Sequence, residues 1–121
     1  MHELSIAVSM IDAVLEEREK HSGSVQAIHV RLGPLSGVDR AALEFAYQVA
    51  REGTPLAATN LVIVESPVAF ECEACRAVRN PALPQQLVCA VCGTPAEKII
   101  SGKELEITAL EMMEDEPAPT G

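Results

Sequence analysis

The sequence predicts an α+β fold: a small three-stranded mixed sheet with two helices on one face, interrupted by a zinc-ribbon-like module built on four cysteines. Three observations predict it. Apolar residues recur at helical spacing in two stretches, they alternate with period two in others, and the four cysteines fall in two close pairs. A chain of 121 residues suits one ordinary domain, or a small core with a metal-stapled appendage.

Leu4, Ala7, Val8, Ile11, Val14 and Leu15 form one stripe, with Asp12, Glu16, Glu17, Glu19 and Lys20 opposite. This predicts an amphipathic helix from about residue 4 to about residue 21. Ser22-Gly23-Ser24 ends it, Gly23 being a natural left-handed cap. From Val25 the period changes to two: Ile28, Val30 and Leu32 face inward, and Ala27, His29 and Arg31 outward. Gly33-Pro34-Leu35-Ser36-Gly37 is a turn, and Asp39 is placed to cap a second helix. Ala42, Phe45, Ala46 and Val49 make its stripe, and Gly53-Thr54-Pro55 closes it. Leu61 to Val64 reads as a short buried strand stopped by Pro67. Leu105, Ile107 and Ala109, alternating with Glu104, Glu106 and Thr108, predict a final strand.

The order is therefore helix, strand, helix, strand, cysteine module, strand. A strand–helix–strand unit favours a right-handed crossover with parallel pairing. Residues 1–69 plus 103–112 are expected to form one α/β domain, 70–102 the cysteine module, and 113–121 a disordered acidic tail.

Cys72 and Cys75, then Cys89 and Cys92, are two Cys-x2-Cys pairs separated by thirteen residues, 76 to 88. Each pair suits a tight knuckle whose sulfurs converge, and the loop is long enough to set one knuckle opposite the other. That is the spacing of a tetrahedral zinc ribbon with four thiolate ligands. With all four positions taken by thiolates, the zinc holds structure and offers no open site for hydrolysis. Between the knuckles only Val78, Leu83, Leu87 and Val88 are available for burial, so the module is expected to fold on its ion.

Hydrophobic residues make up 48% of the chain but aromatics only 2%, so the core must be aliphatic. The formal charge is −9, and a zinc tetrathiolate makes it about two units more negative. Such a surface repels phosphate, which argues against nucleic acid and anionic membranes as partners. No basic segment followed by an apolar run opens the chain, and thiolate cysteines suit a reducing compartment, so a cytoplasmic location is expected. No nucleophile–base pairing or phosphate-binding glycine loop is present, so no enzyme activity is expected; Ser36 between Gly33 and Gly37 belongs to a turn.

The N-terminus carries a second donor set. The amine of Met1, the backbone nitrogen of His2 and the His2 imidazole can close chelate rings on one metal, and the Glu3 backbone nitrogen or carboxylate can complete a square. Planar strong-field nitrogens suit nickel(II) rather than zinc. Read alone, without the resemblance that follows, His2 is a plain residue at a chain start. His21 at a helix end and His29 on the polar side of a strand are read as capping and surface residues.

Met1-His2-Glu3-Leu4-Ser5, Gly33-Pro34-Leu35-Ser36-Gly37-Val38, the two cysteine pairs and Ser101-Gly102-Lys103-Glu104-Leu105 together resemble the HypA/HybF family of hydrogenase nickel-incorporation proteins, from residue 1 to about 110. The resemblance implies a nickel metallochaperone with nickel at Met1, His2 and Glu3 and structural zinc on Cys72, Cys75, Cys89 and Cys92. It implies delivery to the large subunit of a [NiFe]-hydrogenase, together with the GTPase HypB, and in some organisms supply of urease maturation. Some relatives add a histidine from the zinc module. Here neither His21 nor His29 lies in that module, so any further ligand must be backbone nitrogen, Glu3 or a partner. A monomer or a homodimer is equally compatible. The residues by themselves also leave open a zinc-ribbon adaptor that docks a basic partner and transports no metal.

Overall fold

The structure is a computed structural model that describes residues 2–114; Met1 and most of the expected acidic tail, from 115 on, lie outside the described residues. The element order is α1 (Glu3–Arg18), β1 (Ser24–Leu32), α2 (Arg40–Ala50), β2 (Asn60–Glu65), β3 (Ala69–Cys72), β4 (Ala77–Arg79), β5 (Lys98–Ser101) and β6 (Leu105–Met113). One three-stranded sheet has the order β2-β1-β6 and another the order β4-β3-β5. The fold class is α+β, with two helices, small sheets and a four-cysteine cluster. The described residues form two compact units, one from 2–30, 39–62 and 107–114, the other from Arg31–Val38 and Ile63–Glu106.

In the first unit α1 is shorter than its periodicity predicts. After Arg18 the backbone tightens, with Lys20 N donating to Glu17 O and His21 N to Arg18 O, both at 3.1 Å. Gly23, at φ 111°, belongs to the turn into β1 and does not cap the helix. The buried face is Ala7, Met10, Ile11 and Val14, while Leu4 and Val8 are exposed. Met10 is buried in their stead.

Asp39 caps α2 as expected, its carboxylate accepting from Ala42 N at 2.8 Å. The buried stripe of α2, however, is Leu43, Ala46 and Tyr47, and Phe45 is 69% exposed. Apolar residues lie on both sides of this helix, and polar chemistry decides between them. Tyr47 Oη donates to Thr59 O at 2.7 Å, so its ring can be buried with the hydroxyl satisfied. Arg51 Nη1 donates to the same carbonyl at 2.8 Å, and Thr59 Oγ1 donates to Val25 O at 2.7 Å. This buried network ties the loop before β2 to β1 and to α2.

Three strand expectations are corrected. Ala27 is buried along with Ile28, because β1 is the central strand and both of its faces are covered at that point. Only Ile63 of β2 is buried; Val62 and Val64 are exposed because β2 lies at a sheet edge. Ile107 and Ala109 of β6 are exposed, and Leu110 and Met112 are the half-buried ones toward its end.

In the second unit β3 is flanked on both sides by antiparallel strands, pairing Cys72 with Ala77 and Phe70 with Arg79 on one edge and Glu71 with Lys98 on the other. The cysteine stretch thus has a sheet of its own. Gly33 and Gly102 meet where the two segments of this unit come together. Leu35 N donates to Gly102 O and Gly33 N to Glu104 O, each at 2.7 Å. A Cβ on Gly33 would collide with the Gly102 carbonyl, and Gly102 itself sits at φ 115°, so no other residue fits either position. After each knuckle the chain turns left-handed, at Gly93 (φ 75°) and at Arg76 (φ 53°), where a side chain is strained.

Two stability changes are expected. Thr59→Val leaves the buried Val25 carbonyl without its donor and should cost about 2 kcal/mol in denaturant unfolding. Arg76→Gly relieves a left-handed side-chain position and should raise stability by about 1 kcal/mol; an unchanged midpoint would show that the turn is unstrained.

Candidate metal centre

Strand β3 delivers Cys72 directly into the first knuckle, where Cys75 N donates to Cys72 Sγ at 3.5 Å. The second knuckle is closed by Gly93 N donating to Cys89 O and Cys89 N to Thr94 O, both at 2.8 Å. The four Sγ atoms lie within 4.8 Å of one another, with Cys72 and Cys92 at 3.5 Å and Cys75 and Cys89 at 3.8 Å. All four cysteines are free thiols. A tetrahedron with metal–sulfur bonds near 2.3 Å has an edge of about 3.8 Å, so the spacing fits a closed tetrathiolate. The arrangement can grip a soft or borderline divalent ion and leaves it no open position.

The surroundings bias the thiols before any ion arrives. Cys92 is pulled down to about 6, first by the Thr94 hydroxyl 3.1 Å from its sulfur and then by the Thr94 backbone. Cys89 is also lowered, chiefly by the Cys92 amide. Cys75 is pushed up to about 11, first through its contact with Cys92, while Arg79 opposes this. A cluster in which some sulfurs ionise readily and another resists is what crowded like charges produce, and a divalent ion relieves it. The apolar backing is slight: Phe70, Cys72 and Cys89 are buried, with Cys75, Ala96 and Ile99 packed against them. Of the four residues offered for burial by the sequence, Val78, Leu83 and Val88 are exposed and Leu87 is half-buried.

At the start of the chain His2 is the N-cap of α1, exposed, with no side-chain capping hydrogen bond, so its imidazole is uncommitted to the helix. Its carbonyl accepts from Ile6 N at 3.2 Å. Glu3, half-buried in the first turn, has Oε1 3.5 Å from Asp39 N. The fold therefore brings a second carboxylate residue, Asp39, beside the His2–Glu3 pair. Read locally, Asp39 has only its capping role, because nothing in the nearby chain relates residue 39 to residue 3. His21 Nε2 lies 3.4 Å from Glu17 Oε1, and His29 Nε2 lies 3.2 Å from Glu111 Oε2, so both histidines are engaged with carboxylates away from the cysteines. Arg79 and Thr94 beside the sulfurs were likewise missed. Cysteine spacing identifies the ligands but not their neighbours.

No helix among the described residues is long and apolar enough to cross a membrane. Residues 1–112 match the family described as hydrogenase/urease nickel incorporation, metallochaperone, hypA. The chain is 43% identical over 124 aligned positions to the hydrogenase maturation factor HypA of Roseiflexus sp. (strain RS-1), covering 99% of this chain and 98% of that one. It is 41% identical over 112 to the factor of the same name from Chloroflexus aggregans, with 92% and 98% covered. The solution structure of the nickel metallochaperone HypA from Helicobacter pylori superposes with a TM-score of 0.64 at 28% identity, covering 95% of this chain and all of that one. A second solution structure, of a HypA protein, gives 0.69 at 28% identity, with 95% and 98% covered. With the family matched over nearly its whole length and the four sulfurs gathered as a metal cluster, the chain belongs to the HypA family of nickel-incorporation metallochaperones.

Proposed function

We propose that this chain carries nickel(II) at Met1, His2 and Glu3 and hands it to the large subunit of a [NiFe]-hydrogenase, working with the GTPase HypB. In this reading zinc is the permanent ion, held by Cys72, Cys75, Cys89 and Cys92. The observation that carries the proposal is the family match, which begins at residue 1 and runs through both donor sets. Urease maturation is a second recipient of the same chemistry, since the family description names both enzymes. The work is proposed for the cytoplasm, where four thiolates stay reduced.

Helix geometry supports the nickel site. The first N–H groups of a helix have no carbonyl partner within it, so the backbone nitrogens of His2 and Glu3 are not held in the ladder of α1. The positive end of the helix dipole favours a deprotonated, anionic amide there. Two such amides neutralise a divalent cargo, and the exposed His2 imidazole adds a third nitrogen. The Met1 amine is the other nitrogen of the square, and the Glu3 carboxylate, or the nearby Asp39, can take the place of the Glu3 amide. Because the amides must lose protons, the cargo is gripped at neutral pH and released as pH falls. The sulfur set differs in softness and shape, so the two ions do not compete for one site.

His2→Ala should abolish stoichiometric nickel binding in isothermal titration and leave the circular dichroism spectrum unchanged; retention of one nickel per chain would overturn the N-terminal site. Cys72→Ser should lose zinc by elemental analysis and unfold the second unit, since structural zinc supplies roughly 10–16 kcal/mol of folding free energy in small modules. Amide resonances of residues 70–101 that stay dispersed in the zinc-free variant would show that the ion is dispensable.

A further inference from the structure

Strand β2 ends its sheet, since the order is β2-β1-β6 and no strand lies beyond it among the described residues. One row of its backbone N–H and C=O groups is therefore left to pair with water or with another strand. Sequences usually blunt such an edge with lysine, proline or an inward charge. Leu61-Val62-Ile63-Val64 carries neither charge nor proline. Beside the start of this edge an open groove of about 450 Å³ separates β2 from α2, with Glu44, Gln48, Arg51, Asn60 and Val62 in its lining. Its two ends differ in charge. Arg51 marks the end where β2 begins, fixed by its 2.8 Å bond to Thr59 O and by the Tyr47 ring. Glu44 lies about 10 Å back along α2, where Arg40 Nε meets its Oε1 at 2.9 Å.

We propose that this groove docks an extended segment of a partner protein, which adds antiparallel to β2 and sets a basic residue against Glu44 and an acidic one against Arg51. Main-chain bonds to the edge hold an added strand, and its alternate side chains select it. Side chains two residues apart in a strand share a face and stand about 7 Å from each other, so one such pair serves both charged ends. The residue between them points away from α2, beside the exposed Val62, and suits an aliphatic side chain. A carboxylate accepts several donors, so Glu44 keeps Arg40 and still takes an incoming ammonium. A second copy of this chain is a poor match. Its own β2 turns Leu61, Ile63 and Glu65 toward the helix side, with no basic residue for Glu44, and a charge of −9 repels its like.

Neither metal enters the test. The isotope-labelled full chain would be titrated with acetyl-Thr-Lys-Val-Glu-Val-amide, and with the peptide in which Lys and Glu change places. In the antiparallel orientation the first peptide sets Lys beside Glu44 and Glu beside Arg51. It should bind with a Kd of about 0.5 mM at low salt and shift amide resonances within 44–51 and 60–62. The exchanged peptide should bind about tenfold more weakly, and Glu44→Gln should narrow that gap to about threefold. Equal affinities for the two peptides would overturn the charge-matched occupant. An absence of shifts at about 2 mM peptide, or shifts confined to another face, would overturn the groove as a docking site. Shifts at 60–62 on concentrating the chain alone would also overturn the proposal, with a second copy as the occupant.

Discussion

Four thiolate sulfurs within 4.8 Å of one another repel strongly unless a cation sits among them, and the second unit is organised around that demand. The apolar cluster behind the sulfurs has Phe70 and two of the cysteines as its buried members among the described residues. Val78, Leu83 and Val91 are more than half exposed, so they contribute little to burial. The three short antiparallel strands are too small to order the loops between them by hydrogen bonding alone. On the proposed reading, ion binding would supply the missing folding free energy, and the knuckle turns at Arg76 and Gly93 help aim the four sulfurs at one point.

The first unit is built the opposite way. Tyr47, Ile28, Leu43, Leu56, Val14 and Val30 are nearly completely buried, and its deep polar residue, Thr59, is satisfied on both its hydroxyl and its carbonyl. Arg51 stacks over the Tyr47 ring at 5.6 Å while donating to the Thr59 carbonyl, so a charged side chain closes the network from outside. Such a core stands without metal. A donor set at the head of α1 can then be filled and emptied while the helix beneath it keeps its packing through Ala7, Met10, Ile11 and Val14.

Features set by local chemistry were readable from the residues. The Asp39 cap, the turn at Gly33–Gly37, the cysteine pairs and the alternation of helix and strand all depend on neighbours in the chain. Features set by distant partners were not. The face of α2 is chosen by Thr59, twelve residues beyond Tyr47, and periodicity alone favoured Phe45. Ala27 is small enough for either face of a strand, so only the covering of β1 on both sides buries it. Pro67 stopped β2 where expected, but edge position, which depends on the whole sheet order, decided how little of β2 is covered. At the sulfurs, Cys-x2-Cys spacing identifies ligands because a knuckle is a local turn. Arg79 escaped notice because the β3–β4 pairing, which sets it opposite Phe70, is not readable from cysteine spacing.

The contact between Glu3 and Asp39 bears on how a cargo ion would be felt by the fold. Glu3 Oε1 lies 3.5 Å from Asp39 N, near the outer limit of a hydrogen bond, so the tie is weak and easily exchanged. Asp39 is meanwhile fixed by its 2.8 Å bond from Ala42 N, which caps α2. An ion drawing on the Glu3 carboxylate would take that oxygen from Asp39 N with little loss, and the cap would persist. An ion drawing on Asp39 would compete with the cap itself, worth about 1 kcal/mol. If the proposed N-terminal site is filled, Glu3 would therefore be the favoured oxygen donor. A site that borrows a weakly committed oxygen binds without disturbing α2, and it gives the ion up without having to rebuild a helix end.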